Sequence, residues 1–417
     1  MKTLMKKRTV PRWLLLTLPL LFLALFYFYP LIKIVLVSFA PEGTWEPGRL
    51  QQLVSSDSYF RILRFTFWQA ALSTLLTLLL ALPGAFVFTR YRFPLKNLLQ
   101  ALMTVPFVLP TVVTAAAFQA LLGPGGLVND ALMRLFDFDS PPVKLNQSAA
   151  FFLLAHIFYN YSLVLRIVSG YWARLDPHLK EAATMLGASP LRTFFKITLP
   201  LLIPPITSAA LLVFIFCFTS FGVVLILGGP GCATIEVEIY RQSIQLFNLP
   251  MAAALSLIQI CINFLLMLFH ARLGRNSRIG FFSSTPGEAP DQARGLLQKS
   301  LLVTNLAFMV ILLLTPLLAL LLRSFLGEHG LTLAYYRALF TTPPGSVFFV
   351  PPVQAVLNSI GFAVLAMGMA VLLGLLASSY LACAENNKKN STHFWDAIIM
   401  LPSPLPPLPL DSAISLP

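Results

Sequence analysis

Charged residues are scarce in this chain. Only 11% of its 417 residues are Asp, Glu, Lys or Arg, whereas 57% are hydrophobic and the mean hydropathy is +0.79. A soluble domain carries about 25% charged residues, so a chain of this length could not cover its surface with so few. The composition excludes a soluble enzyme and a disordered protein, and it predicts an all-α protein that crosses a membrane several times. A transmembrane β-barrel is not expected, because the apolar runs are continuous.

Residue patterns that usually mark chemistry are also scarce. The four cysteines are scattered without a Cys-x-x-Cys pair, which is typical of small apolar side chains in a core. The five histidines are isolated from one another, so no metal centre is expected. No Gly-Lys dipeptide occurs, which excludes a Walker A loop, and no catalytic cluster of Ser, His and Asp lies in the apolar runs. We therefore expect neither enzyme activity nor a bound cofactor in this chain.

Long apolar runs are what the sequence does contain. About 20 apolar residues can cross a bilayer as a helix. Eight runs of that length are predicted spans: Trp13–Phe39, Ile62–Phe88, Leu98–Leu122, Ala149–Gly170, Leu201–Leu227, Met251–His270, Leu301–Leu322 and Val356–Leu381. A ninth begins near Phe394. The first run follows a basic start, as in a signal peptide, but it continues without a small-residue cleavage pattern, so we expect an uncleaved span.

The basic residues indicate an orientation in the membrane. With a cytoplasmic N-terminus, 19 of the 29 Lys and Arg residues fall in inner segments and 7 in outer segments, with 3 in or beside spans. This asymmetry follows the positive-inside rule. The net charge of +13 therefore predicts a multi-pass protein of a bacterial plasma membrane and no nucleic-acid partner. Arg166 and Arg323 lie in or at the end of spans, where we favour snorkelling to the interface over a functional role.

Two segments of the chain repeat earlier ones. Pro30 and Pro316 each precede a Ser-Phe pair by eight residues, and Ala101–Pro106 resembles Ala397–Pro402. The second copy stops at Pro417, near the equivalent of Leu121, so we expect it to be incomplete. A frameshift, a pseudogene or an incomplete contig would each explain this. The predicted divisions are 1–60 (first span and outer loop), 61–273 (first core), 274–300 (cytoplasmic linker) and 301–417 (partial second copy).

The most polar inner loop, residues 171–200, carries the clearest motif. Asp176-Pro177 is a helix-start signal, and Gly187 can adopt the positive φ that ends a short helix. Pro190 can then open a second helix at its first turn. The loop also contains Glu, Ala, Ala, Gly, Ile, Leu and Pro at set spacing: Glu181, Ala182, Ala183, Gly187, Ile197, Leu199 and Pro200. We predict a helix–turn–helix at the cytoplasmic surface, joined directly to two spans.

This loop resembles the EAA motif of the membrane subunits of bacterial type I ABC importers. The resemblance implies a six-span permease bundle plus an incomplete second copy of two to three spans. It implies that Glu181, Ala182, Ala183 and Gly187 form a coupling helix and its turn, and that Ile197, Leu199 and Pro200 form the return. It also implies a dimer of separate ATPase subunits that bind ATP, and an extracytoplasmic solute-binding protein.

A finer resemblance is to the fused thiamine and ferric-iron permeases. It rests on Arg64–Ala70, Leu154–Asn160 and Leu227–Tyr240. That family carries a second EAA loop in its second copy, and this sequence has none. The predicted function is import of a solute of the thiamine or ferric-iron class. An ion-coupled secondary transporter and a non-functional truncated permease remain alternatives.

Three residues are candidates for the solute path. Arg166 is a charge within a span, Gly229 lies in an outer Gly-rich loop, and Glu236 follows that loop. The loop could line the mouth of the path, but a simple chain reversal is favoured. Glu236, Glu238 and Tyr240 alternate with apolar residues; they could contact a cationic ligand, although we favour exposure to water.

Overall fold

The computed structural model describes residues 12–40, 56–276, 292–293, 295–327, 330–341 and 351–385, and these are almost entirely helical. The helices are α1 (Arg12–Leu23), α2 (Tyr29–Phe39), α3 (Asp57–Arg90), α4 (Lys96–Leu102), α5 (Thr104–Val108), α6 (Thr111–Leu122), α7 (Leu127–Phe136), α8 (Ala149–Trp172), α9 (Pro177–Met185), α10 (Pro190–Thr193), α11 (Leu199–Phe218), α12 (Gly222–Leu227), α13 (Ile235–Tyr240), α14 (Leu249–Asn276), α15 (Leu296–Phe325), α16 (Ala334–Ala338) and α17 (Pro352–Glu385). Wider π-helical turns lie at Ala24–Phe28, Phe194–Thr198 and Arg241–Gln245. Two-residue strands are β1 (Leu326–Gly327) and β2 (Gly330–Leu331).

Eight helical stretches of the described chain are long and apolar enough to cross a bilayer. They are Leu15–Phe39, Asp57–Arg90, Thr111–Phe136, Ala149–Trp172, Pro190–Phe218, Leu249–Leu273, Leu296–Phe325 and Pro352–Tyr380. This confirms an all-α polytopic membrane protein and the eight predicted apolar runs. The ninth predicted span, near Phe394, and most of the predicted linker lie outside the described residues.

Two predicted spans have the wrong boundaries, and a proline explains one of the two breaks. The run Leu98–Leu122 is not one helix, since Leu109 is extended before Pro110 and α6 starts at Thr111. A residue before proline is disfavoured in the helical conformation. The run Leu201–Leu227 is also not one helix: α11 ends at Phe218, and α12 begins at Gly222.

Helices α3, α8 and α11 form the centre of the main core, and α6 and α12 add to it. Phe151, Phe152 and Tyr161 of α8 are fully buried, as expected for core aromatics. The facing side of α3 is lined with small residues. A Cβ at Gly84 would collide with the Tyr161 hydroxyl, so the buried Tyr161 side chain lies where a larger residue on α3 would need it to move.

Buried polar side chains join these three helices. The two ring nitrogens of His156 lie 2.8 Å from the hydroxyl oxygens of Ser73 on α3 and Ser220 after α11. Gln69 donates from Nε2 to the carbonyl of Cys217, 2.8 Å away. Each bond satisfies a polar group that would be costly to leave unpaired in an apolar interior. His156 is therefore a structural bridge between α3, α8 and the break that follows α11.

Helix α15 packs against α6 and α3. The guanidinium of Arg323 donates to Asp130 Oδ2 at 2.7 Å and also to the carbonyl of Gly125. The side chain ties the end of α15 to α7, which was not predicted, and the expectation that Arg323 reaches the membrane interface stays a prediction. The pair is about one-third exposed on each side.

The chain divides into two compact units, residues 46–326 and residues 1–45 with 327–417. The larger unit contains the core described above. In the smaller unit, α1 packs against α17. Pro30 and Pro316 of the predicted repeat lie in α2 and α15, so α15 is the first span of the predicted second copy. The units follow contacts in space, whereas the predicted division at residues 274–300 follows the repeat and stays a prediction.

Candidate functional site

The segment between α8 and α11, residues 171–200, folds as a helical hairpin that we call the elbow. Asp176 caps α9 by accepting a hydrogen bond from the His178 amide at 3.0 Å, and Pro177 occupies its first turn. Such caps satisfy amides that have no partner within the helix. The predicted helix start at Asp176-Pro177 is confirmed.

A left-handed glycine turns the elbow. Gly187 has φ +76°; its amide donates to Thr184 O, and the amide of Ala188 donates to Ala183 O. These two bonds form a Schellman motif, which supplies hydrogen-bond donors to carbonyls of the last helical turn. Ser189 then accepts from the Arg192 amide as α10 starts at Pro190. The predicted turn and second helix are therefore confirmed, and both depend on local sequence.

The tip of the elbow carries exposed apolar side chains. Met185 is 90% exposed, Leu186 88% and Leu191 72%. Leaving several large apolar side chains exposed beside a rigid turn is unfavourable in water, and such a cluster is typical of a contact surface. Met185 and Leu186 were not predicted as a contact surface, although apolar residues within the most polar loop were a usable signal.

The EAA residues themselves occupy different environments on α9. Glu181 is exposed and lies 3.2 Å from the ring of His178, while Ala182 is exposed on the same helix. Ala183 is buried, and the small side chain allows α9 to pack closely on the next segment of the elbow. Thus Glu181 and Ala182 are available to another molecule, whereas Ala183 holds the hairpin together.

The return of the elbow runs without interruption into a span. Ile197 lies in the π-helical turn and Leu199 starts α11, both half-buried, and Pro200 lies exposed in the first turn of α11. At the other end, the ring of Trp172 on α8 lies 6.1 Å from that of Phe194. A displacement of the elbow would therefore be transmitted directly to α8 and α11.

A second polar region lies where α13 meets α14. Glu236 Oε1 accepts from Gln259 Nε2 at 2.6 Å, and both side chains line an open cavity of about 490 Å³. The alternating pattern at 236–240 belongs to a helix, and Glu238 is buried, with Oε1 accepting from Gln242 at 2.7 Å and Oε2 paired with Arg241 at 3.1 Å. The preferred expectation of exposure to water is wrong for Glu238, which is buried because α13 packs on α14. Glu236 is half-buried beside the open cavity, and whether it contacts a ligand or water stays a prediction.

The other two solute-path candidates lie elsewhere in the larger unit. Gly229 has φ +70°, and a Cβ there would collide with Gln147, so this position serves a tight chain reversal. Arg166 is exposed and donates to Gln100 O at 3.1 Å and more weakly to Thr104 Oγ1 at 3.4 Å. Neither residue lines the cavity beside Glu236. Gln259 and Asn263, which do line it, were missed because they are single polar residues in a long apolar run.

Comparison with known families identifies the class of protein that this fold defines. A model of the family described as "Binding-protein-dependent transport system inner membrane component" matches residues 73–279, which include the elbow. The chain belongs to this family, the membrane components of ABC importers. It is therefore a transport permease subunit.

Two individual relatives of the chain carry the name of a solute. The chain is 34% identical over 239 residues to a thiamine transport system permease protein of Brucella abortus, covering 56% of this chain and 43% of that protein. It is 31% identical over 252 residues to a protein of Salmonella typhi named as a 2-aminoethylphosphonate transport system permease, covering 60% and 86%. The chain thus spans less than half the length of its thiamine-permease relative.

Solved structures show the same fold. A bacterial ABC transporter for import of the acidic polysaccharide alginate matches with a TM-score of 0.53 at 19% identity, over 63% of this chain and 94% of that one. The same transporter in complex with a periplasmic protein bound to an alginate pentasaccharide matches with a TM-score of 0.53 at 20% identity, over 64% and 96%.

Proposed function

We propose that this chain is the permease part of an ABC importer in the inner membrane of a bacterium. Its N-terminus and its elbow face the cytoplasm. It receives a solute from an extracytoplasmic binding protein and moves it inward, while a separate dimer of ATPase subunits binds and hydrolyses ATP. The family membership supports the importer class, and the asymmetry of basic residues supports the orientation.

The apolar tip of the elbow is the observation that carries this proposal. Met185, Leu186 and Leu191 lie beside the Gly187 turn and are more than two-thirds exposed. In a protein whose other apolar surface can face lipid, a short polar hairpin with an apolar tip fits insertion into a groove on a soluble subunit. Glu181, exposed on α9, adds a charge that can pair with a basic residue of that groove.

The elbow also explains how ATP binding elsewhere could move the spans. Closure of the ATPase dimer would displace the docked tip. Helix α8 ends where the elbow starts, and α11 begins where the elbow ends. Small displacements are converted into two discrete states when packed helices can adopt alternative arrangements. The bridge formed by His156 between α3, α8 and Ser220 would carry this displacement to α3.

The solute class is proposed from the relatives. Thiamine and 2-aminoethylphosphonate are the solutes in their names, and both are small and nitrogen-containing. We favour thiamine because the relatives at 34% identity carry that name. The ferric-iron alternative stays a prediction from the sequence resemblance.

Co-purification tests the docking role. The full chain is expressed with the ATPase subunit encoded nearest to it, and the complex is isolated through a tag on the permease. Leu186→Asp places a charge at the apolar tip and should reduce the bound ATPase at least tenfold, whereas Ala173→Asp, exposed near the end of α8, should not.

Both variants must remain in the membrane at the level of the unaltered chain. Equal recovery of the ATPase with Leu186→Asp and with the unaltered chain would contradict the proposal. Absence of any ATPase from all three preparations would instead favour the alternative of an ion-coupled transporter.

A further inference from the structure

We propose that the cavity between α13 and α14 is a subsite for an organic cation, at which Glu236 balances the charge of the transported solute. The inference rests on the proposed import function and deepens it. It concerns residues of the larger unit alone. The cavity is lined by Phe221, Glu236, Ile239, Tyr240, Ser243, Ser256, Gln259, Ile260 and Asn263.

Unused hydrogen-bond acceptors are the first observation. Gln259 is 6% exposed. Its Nε2 donates a hydrogen bond to Glu236 Oε1, but its Oε1 is buried without a hydrogen-bond partner. Asn263 Oδ1, one helical turn further along α14, is also buried without a partner. Nearly all buried polar atoms in native proteins are paired, so two unpaired carbonyl oxygens at one cavity suggest a missing donor. A ligand with N–H or O–H groups would supply it.

The charge of the lining is the second observation. Among the described residues that line the cavity, Glu236 is the one acidic side chain and no basic side chain is present. The nearest basic side chain on the same segment, Arg241, is bound to the buried carboxylate of Glu238. The cavity therefore presents an uncompensated carboxylate with neutral acceptor oxygens. That combination attracts a cation and repels a phosphonate or phosphate.

Two aromatic rings add shape to the subsite. Phe221 and Tyr240 line the cavity with ring centroids 5.3 Å apart and planes inclined by 49°. The faces of such rings attract quaternary and heteroaromatic cations. The carboxylate, the acceptor oxygens and the aromatic corner together favour a cation with both an apolar body and hydrogen-bond donors.

The position of the cavity fits a step in transport. Gln259 and Asn263 lie 10 and 14 residues into α14, about 15 and 20 Å along a helix axis. Polar side chains at that depth are costly in a membrane and commonly mark the path of a solute. Burial raises the pKa of the Glu236 carboxyl, with the Gln259 hydrogen bond opposing, so the carboxylate has lost hydration that a bound cation would replace.

Equilibrium binding to the full chain in lipid nanodiscs tests the subsite. The probes are labelled thiamine, benzyltrimethylammonium as an unrelated aromatic cation, and 2-aminoethylphosphonate. We expect at least one of the two cations to bind, and both Glu236→Gln and Gln259→Leu to weaken its binding at least tenfold. Asp139→Asn is the control, since it removes an exposed carboxylate of the larger unit that does not line the cavity, and should change binding less than threefold.

The outcomes separate this inference from the importer function, because ATPase co-purification is measured on the same preparations. Retained ATPase with no binding of either cation overturns the subsite and leaves the function standing. Equal binding by Glu236→Gln, or tighter binding of 2-aminoethylphosphonate than of the cations, also overturns it. A melting temperature within a few degrees of the unaltered chain shows that a loss of binding in a variant is not a loss of fold.

Discussion

At the scale of single residues, Gly187 is the most constrained position of the elbow. Its φ of +76° lies in the left-handed region, and its amide closes α9. A residue with a side chain costs about 1–2 kcal/mol in that conformation, with Asn tolerated best. Open space surrounds the position, so a larger side chain is opposed by the backbone and not by a clash.

We predict that Gly187→Val lowers ATPase recovery and uptake, because a β-branched residue is strongly disfavoured at positive φ, while Gly187→Asn retains most of both. The physical reason is loss of the turn that presents Met185 and Leu186 to the ATPase. Membrane insertion does not depend on this turn, so the amount of permease in the membrane should not change. Uptake into cells and the amount of permease in membranes are the measurements. Uptake at the unaltered rate with Gly187→Val would show that the turn is not needed.

Glu236 gives a pH dependence of stability. Burial raises its pKa, and the hydrogen bond from Gln259 opposes that shift. Because the pKa is higher in the folded state, protonation of Glu236 stabilises the fold; this contribution is complete below the pKa of an exposed Glu and is lost as pH rises through the raised value. Tyr240 is the other titratable side chain among the described lining residues, and Glu238 and Arg241 form a separate pair.

The variant Glu236→Gln is neutral at every pH, so it should melt at a higher temperature than the unaltered chain at neutral pH. The difference should shrink as the pH is lowered towards 4. Thermal melting in detergent from about pH 4 to 8, in steps of half a unit, measures this. A constant difference across that range would mean that the carboxyl is not desolvated.

At the scale of elements, the helices and the turn of the elbow could be predicted because their signals are local in the sequence. Asp176, Pro177, Gly187 and Pro190 act within a few residues of their own position, so the elbow could be derived from the sequence alone. The pairing of Arg323 with Asp130 joins α15 to α7 across almost 200 residues, and no local pattern contains it. The burial of Glu238 was missed for the same reason, since it depends on how α13 packs.

The Arg323–Asp130 pair should couple α15 to α7 measurably. Arg323→Met and Asp130→Asn should each lower the melting temperature, and the double variant should lose less than the sum of the two. Since the pair is about one-third exposed, we expect a coupling of up to about 1 kcal/mol. A double-mutant cycle by thermal melting in detergent measures it. Strict additivity would show that the contact contributes nothing.

At the scale of the whole molecule, apolar length predicted the spans well and their ends poorly. Eight runs and eight candidate helices agree, because crossing a bilayer requires about 20 apolar residues wherever the helix lies. The breaks at Leu109 and after Phe218 shift two boundaries, and the first arises because Pro110 acts locally against the apolar pattern. The cavity residue Gln259 could not be predicted, since its partner Glu236 comes from another helix, and Asn263 is a single polar residue in a long apolar run.

Photocross-linking from the elbow tests the central claim most directly. A photoreactive benzoylphenylalanine is placed at Leu186, at the exposed tip, and as a control at Phe264, which is 61% exposed on α14. The full chain is irradiated in membranes that contain the ATPase subunit encoded nearest to it. We predict an adduct with the ATPase from position 186 and none from position 264. No adduct from 186, or equal adducts from both positions, would contradict the docking of the elbow.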